Sequence, residues 1–263
     1  MKLVDLSVTL EADLPVDPPG QIPKFLYMDH TSKISIDSYL ATFPGLTVDE
    51  LPEGKAWAIE GMQVVTHAGT HMDAPWHFHP TMNNGEPAWT IDEVPLDWCM
   101  GDGVVIDATD REDGYVLTAA DIQEYLRRMD YTLKPGDIVM LHTNAPKVWG
   151  TKEYLVTGCG VGREGTLWLL NQGVHAVGTD AWSWDAPLAL VAKRYAKEKD
   201  PSIIWEGHKA GREKAYVQME KLSNLDKLPP YGFKVIAFPI KIKAASAGWV
   251  RPVAILDDTV VRD

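Results

Sequence analysis

A chain of 263 residues, 45% hydrophobic and 24% charged, has the composition of a globular protein long enough to bury a substantial core. Its formal net charge of −12 repels nucleic acid and anionic membranes, so neither is expected as a partner. No stretch approaches the roughly 20 apolar residues of a membrane span, and MKLVDLSVTL lacks a signal peptide's apolar run. The only cysteines, Cys99 and Cys159, have neither metal-type spacing nor the density of a disulfide scaffold. The expectation is a cytoplasmic protein.

KLVDLSVTL alternates apolar and polar residues and predicts a strand. The proline-rich passage 14–23, LPVDPPGQIP, predicts an extended or looped arm. WAIEGMQVVTH is a second alternating stretch, expected to end as a strand at His67. GDGVVIDAT and GDIVMLHT read as buried strands, short and rich in Val and Ile. Between them LTAADIQEYLRRMD predicts a threonine-capped helix with Ile122, Tyr125, Leu126 and Met129 on one face. REGTLWLLNQGVHAVGTD predicts a helix stopped at Gly173 and a strand running into Asp180. The charged run 193–214 reads as a solvated helical surface broken at Asp200-Pro201, and GFKVIAFPIKI and RPVAIL as closing strands. Helices and strands mix without strict alternation, which predicts one α/β domain over 1–263 with a mixed sheet.

Four of the eight histidines fall within residues 67–79, three of them in HAGTHMDAPWHF. His67, His71 and Asp73 supply two imidazoles and a hard carboxylate, a donor set suited to Zn²⁺, Mn²⁺ or Fe²⁺. The bland alternative is a polar loop. Gly69 and Pro75 argue against a helix, so His67 is expected at a strand end, with a turn at Ala68-Gly69 and a loop carrying His71 and Asp73. His77 is either a further ligand or a free imidazole suited to proton transfer. Trp76 and Phe78 either wall a pocket or pack in the core. Trp182 and Trp184 could line a flat pocket for an aromatic ring, with one of the two in the core, and the roles of Asp180 and Asp185 stay open.

HAGTHMDAPWHF resembles the H-x-G-T-H-x-D-x-P-x-H-F signature of the cyclase-like metal hydrolases, which include bacterial kynurenine formamidases and isatin hydrolases. VDLSVTL, PGDIVMLHT, GTDAWSWDAP and LDKLPPYGFKVIAFPIKI are similar to other segments of that family, so the resemblance spans nearly the whole chain. It implies a swivelling β/β/α fold, a homodimer or homotetramer, and one or two Zn or Mn ions per subunit. It also implies His67, His71 and Asp73 as ligands, completed by His208 in WEGHKAGRE and Glu220 in VQMEKLSNL. His77 matches the family's acid/base histidine. The departures are His142, the tryptophans of DAWSWDAP, and AASAGWVRP in the closing loop; they put the substrate in doubt more than the metal.

The implied reaction is metal-dependent hydrolysis of an amide, lactam or cyclic imide-like C–N bond in a small, possibly aromatic, substrate. A metal-dependent lactonase, or a lyase or dehydratase, is the alternative enzyme, and a closed structural metal site in a binding protein the non-enzymatic one. The chain contains no G-x-S-x-G, which sets aside a serine hydrolase.

Overall fold

The computed structural model describes residues 1–257, and residues 258–263 of the expected domain lie outside it. A mixed sheet of nine strands organises it. In chain order these are β1 (Lys2–Asp5), β2 (His71–Asp73), β3 (Met100–Asp107), β4 (Ile138–His142), β5 (Ala176–Thr179), β6 (Val217–Glu220), β7 (Tyr231–Ile236), β8 (Ala247–Trp249) and β9 (Val253–Leu256). Across the sheet they run β1-β9-β7-β3-β4-β5-β6-β2-β8. Strands β3 to β6 are parallel, and both flanks are antiparallel. The expected mixed α/β architecture is therefore present.

The central strands are buried on both faces, which is why they read as unbroken apolar runs. Val104 and Ile106 of β3 and Val139 and Leu141 of β4 face one core. Val105, Ile138 and Met140 alternate to the other. The described residues hold six α-helices: α1 (Lys33–Thr42), α2 (Pro75–Phe78), α3 (Ala119–Arg128), α4 (Arg163–Asn171), α5 (Leu188–Glu198) and α6 (Glu206–Lys209). Helix α3 begins where expected: Thr118 accepts from Asp121 N, and Asp121 Oδ2 accepts from Thr118 N at 2.9 Å. Its Ile122, Tyr125 and Leu126 join Leu169 and Leu170 of α4 on the first core. Gly173, at φ +88°, ends α4 as predicted.

Three expectations are corrected. The stretch 57–67 does not reach His67 as a strand. It pairs only over Ile59–Gln63 with Lys24–Met28, in a separate hairpin, because no main-sheet strand lies beside it. Residues 71–73 are not a loop but β2, paired on both sides, and three residues are too few to show periodicity. Strand β7 stops at Ile236, and the closing loop contributes β8. The turn at Gly69, φ +63°, stands as expected. The charged stretch holds α5, a left-handed Lys199 and the short α6, so its surface is helical only in part.

Candidate metal centre

Two strand registers build the site. In β2, His71 and Asp73 point to one face while Met72 enters the core. Antiparallel pairing sets Glu220 opposite His71 and Gln218 opposite Asp73. Directly opposed residues share a face, so four polar side chains form one buried patch. His67 reaches this patch from the turn before β2, and His208 from α6.

His67 Nδ1 stands 2.8 Å and His71 Nε2 3.3 Å from Asp73 Oδ1. These short contacts lack the alignment of hydrogen bonds, for among the described residues Asp73 Oδ1 and His71 Nε2 are both buried without a hydrogen-bond partner. Unpaired buried polar atoms cost about 1–3 kcal/mol each. Two of them face each other here, one a carboxylate oxygen and one an imidazole nitrogen, and that is the donor chemistry of a divalent cation. One ligand atom each from His71, Asp73 and Glu220 lie within 4.8 Å of one another, as do those of His67, Asp73 and His77. The residues present fit a metal.

Outer contacts hold the imidazoles in place. His71 Nδ1 donates to Gly69 O at 2.9 Å, which turns Nε2 toward Asp73. His67 Nε2 is 2.9 Å from Ser246 Oγ. His208 Nδ1 donates to Asp185, whose carboxylate also accepts from Gly207 N at 2.8 Å and His208 N at 3.0 Å. His208 Nε2 then faces Asp73 Oδ2 at 3.9 Å and Glu220 Oε1 at 3.7 Å.

Between these last groups sits Gln218. Its amide nitrogen is 2.7 Å from His208 Nε2, 2.9 Å from Glu220 Oε1 and 3.2 Å from Asp73 Oδ2. Sequence reasoning missed it, because a glutamine two residues before a candidate ligand gives no signal until the register is known. It also missed the buried Asp17–Lys221 ion pair. Lys221 Nζ donates to Asp17 and to His67 O, the latter at 2.9 Å, so the proline-rich arm is tied to a candidate ligand. Removing one partner of such a pair costs about 3–5 kcal/mol.

Burial alone would raise the Asp73 carboxyl, but the imidazoles of His77, His71 and His67 hold it well below the usual carboxylate range. Glu220 is pushed up by burial and then by the Asp73 charge. Burial opposes protonation of His67 and His208, yet Asp73 and Asp185 respectively outweigh it and raise both. Burial brings His77 down to about 4 against the pull of Asp73, so this imidazole is neutral near pH 7. Its ring centroid is 4.1 Å from that of His67 and 5.5 Å from that of His208.

The aromatic candidates scatter. Phe78 is buried, stacks on Tyr216 at 4.7 Å and meets the His208 ring edge-on at 5.4 Å. Trp76 is 45% exposed. Trp182 is half-buried and donates to Asp17 at 2.9 Å. Trp184 is fully buried, its indole donating to Thr166 Oγ1 at 3.0 Å; it meets the cluster only through its backbone N–H, which donates to Glu220 Oε1. Trp205, unremarked in the sequence, lies flat on His208 at 4.4 Å. A cleft of about 740 Å³, lined by Arg163, Glu206, Lys209 and Arg212 among others, contains none of the clustered ligands. Chemistry, not volume, marks the site.

The Cyclase family model matches residues 4–186. A kynurenine formamidase from Erythrobacter litoralis is 26% identical over 206 residues, covering 77% of this chain and 79% of that protein. Cyclase-like protein 1 from Oryza sativa subsp. japonica is 26% identical over 229 residues, covering 83% and 71%. Among solved structures, isatin hydrolase A from Labrenzia aggregata, bound to benzyl benzoate, superposes with a TM-score of 0.71 at 25% identity, covering 97% of this chain and 93% of that one.

Proposed function

This chain belongs to the Cyclase family, and from that premise we propose that it is a metal-dependent hydrolase of an amide, lactam or cyclic imide-like C–N bond in a small molecule. The observation that carries the reading is the facing pair of unsatisfied buried atoms, His71 Nε2 and Asp73 Oδ1. The formamidase and isatin hydrolase relatives support the bond type.

His67, His71 and Asp73 would hold the ion, Zn or Mn. When bound it supplies a Lewis acid for the substrate carbonyl and a water acidified toward neutrality. A single ion fits this chain better than two. The triangle of His208, Asp73 Oδ2 and Glu220 Oε1 is occupied by the Gln218 amide, whose nitrogen lies within hydrogen-bond distance of all three groups. On this reading His208 and Glu220 would complete the surroundings of that one ion beside Asp73 rather than cage a second ion.

His77, neutral and beside His67, has a lone pair free to take the proton of the attacking water. As the water oxygen bonds to the carbonyl carbon and the C–N bond breaks, His77 returns that proton to the leaving nitrogen. The rings of Trp205 against His77 and of Phe78 against His208, with Trp76 exposed beside His77 in the chain, would suit an aromatic or heteroaromatic group.

The test is metal analysis of the purified protein, then hydrolysis of N-formylanilines, cyclic imides, isatins and lactones with and without chelator. One divalent ion per chain, chelator-sensitive C–N cleavage and ¹⁸O from solvent in the product carboxylate are expected. A protein that retains no divalent metal sinks the reading, and preference for lactones shifts the bond type.

We also propose a homodimer or larger homo-oligomer. The hairpin and α1 expose Leu26, Tyr27, Ile34, Phe43 and Met62, each more than half accessible, and a second copy would cover them. Light scattering at a single-chain mass overturns this. No described helix is long and apolar enough to cross a membrane, and the two buried free thiols fit a reducing cytoplasm.

A further inference from the structure

We propose that the indole N–H of Trp205 donates a hydrogen bond to the carbonyl oxygen of a neutral amide-type substrate, making Trp205 a substrate-contacting residue of this centre. This rests on the hydrolase reading above and deepens it.

Backbone strain is the first observation. Trp205 immediately precedes α6 with φ 53° and ψ 41°, the left-handed region that bulky side chains avoid. Such a conformation persists only where the surroundings over-determine it, and it concentrates at functional sites. Here the surroundings are two histidines. The indole lies parallel to the His208 ring, 4.4 Å away at 6°, and meets the His77 ring edge-on at 5.2 Å. The strained backbone holds the indole flat against His208 and at a steep angle to the ring of the proton carrier.

The donor itself is the second observation. Trp205 Nε1 is buried and has no acceptor among the described residues. Indole nitrogen only donates, and a buried donor left unmade is costly. Of the tryptophans expected at the substrate, Trp182 donates to Asp17 and Trp184 to Thr166, while Trp76 is exposed to solvent. Trp249 Nε1 is also unpaired, but that residue lines a separate cleft with Ser7 and Arg251. Trp205 is therefore the free indole donor that touches the His77–His208 pair.

An indole N–H is an uncharged donor, and against these rings it suits the uncharged carbonyl oxygen of an amide. Negative charge grows on that oxygen as water adds, so the bond strengthens toward the transition state.

Trp205→Phe keeps an aromatic ring beside His208 and deletes the N–H together with the pyrrole half of the indole. Expected are unchanged metal content and a fall of about 10- to 100-fold in kcat/KM for N-formylaniline, carried mainly by kcat. On the metal-loaded wild-type protein, the indole ¹H–¹⁵N resonance that is missing in Trp205→Phe should move when N-formylaniline or succinimide is added. Wild-type kinetics in the variant, or a resonance that neither probe moves, overturns the proposal. A parallel loss of metal and activity does so too, by reducing Trp205 to a support for His208. A resonance that moves while the wild type hydrolyses neither probe leaves the donor standing and defeats the hydrolase reading instead.

Discussion

Two clusters in this molecule pair histidine with aspartate, and they end differently. At the ends of β4 and β5, His142 Nδ1 donates to Asp180 Oδ2, while Asp180 Oδ1 accepts from Thr143 N at 2.9 Å and Thr143 Oγ1 at 2.8 Å. Both carboxylate oxygens are filled by the chain. In the β2–β6 patch, Asp73 has one oxygen against Gln218 and the other without a partner, facing an equally unpartnered His71 Nε2. The residue types are alike, and the satisfaction of their atoms is not. A closed pair ties strand ends together; an open one invites a cation.

The sharpest way to break that contrast is to mutate both aspartates. Asp73→Ala should leave no bound metal by elemental analysis and no measurable hydrolysis, a larger loss than deletion of any proton-transfer group. Asp180→Asn should keep its metal, and a metal-free Asp180→Asn would dissolve the distinction. Next in size is His77→Ala, expected to lower kcat by about 10²–10⁴-fold with metal content unchanged. Metal falling in step with activity would move His77 from proton carrier to ligand.

A smaller effect separates the outer partners. Asp185→Asn removes the acceptor that orients His208 and should weaken metal binding by about 10- to 100-fold, read by chelator competition. The equivalent loss at Asp180 should leave that competition unmoved. The smallest effect is on stability. The hydrogen bond to Asp180 raises His142 above its ordinary 6.5. A raised folded value means stability fully present below 6.5 and lost as pH rises through the folded value. Asp180, raised chiefly by burial, has a shift of the same sign from its lower reference of 3.8. His142→Gln should therefore cost under about 1 kcal/mol, since the imidazole is partly exposed. The gap in Tm between wild type and variant should be wider at about pH 6 than at about pH 8, and a constant gap would show that the pair does not titrate with folding.

Much of the fold was legible along the chain. Thr118 announced α3, Gly173 the end of α4, and the IVML run a strand buried on both faces. What misled were short or unpartnered segments. Alternation over 57–67 described a strand that extends only a peripheral hairpin, and β2 was too brief to show a period. Within the centre, His67, His71 and Asp73 were readable because their spacing is local. His208 and Glu220 entered only through resemblance, and Gln218 and Trp205 gave no sign.

The sequence by itself determined the donor set: two imidazoles, a carboxylate and a nearby third histidine within twelve residues, around a glycine that makes the turn. Local order sufficed because those groups are held by one turn and one strand. Tertiary structure alone decided which atoms were left open. The β2–β6 register set Gln218 against Asp73 and Glu220 against His71, and Asp185 turned His208 inward. A left-handed Trp205 laid an unpaired donor across the pair of histidines. Side chains far apart in the chain meet only where strand register and burial bring them together, and hydrogen-bond satisfaction is a property of that meeting, not of any residue's place in the chain.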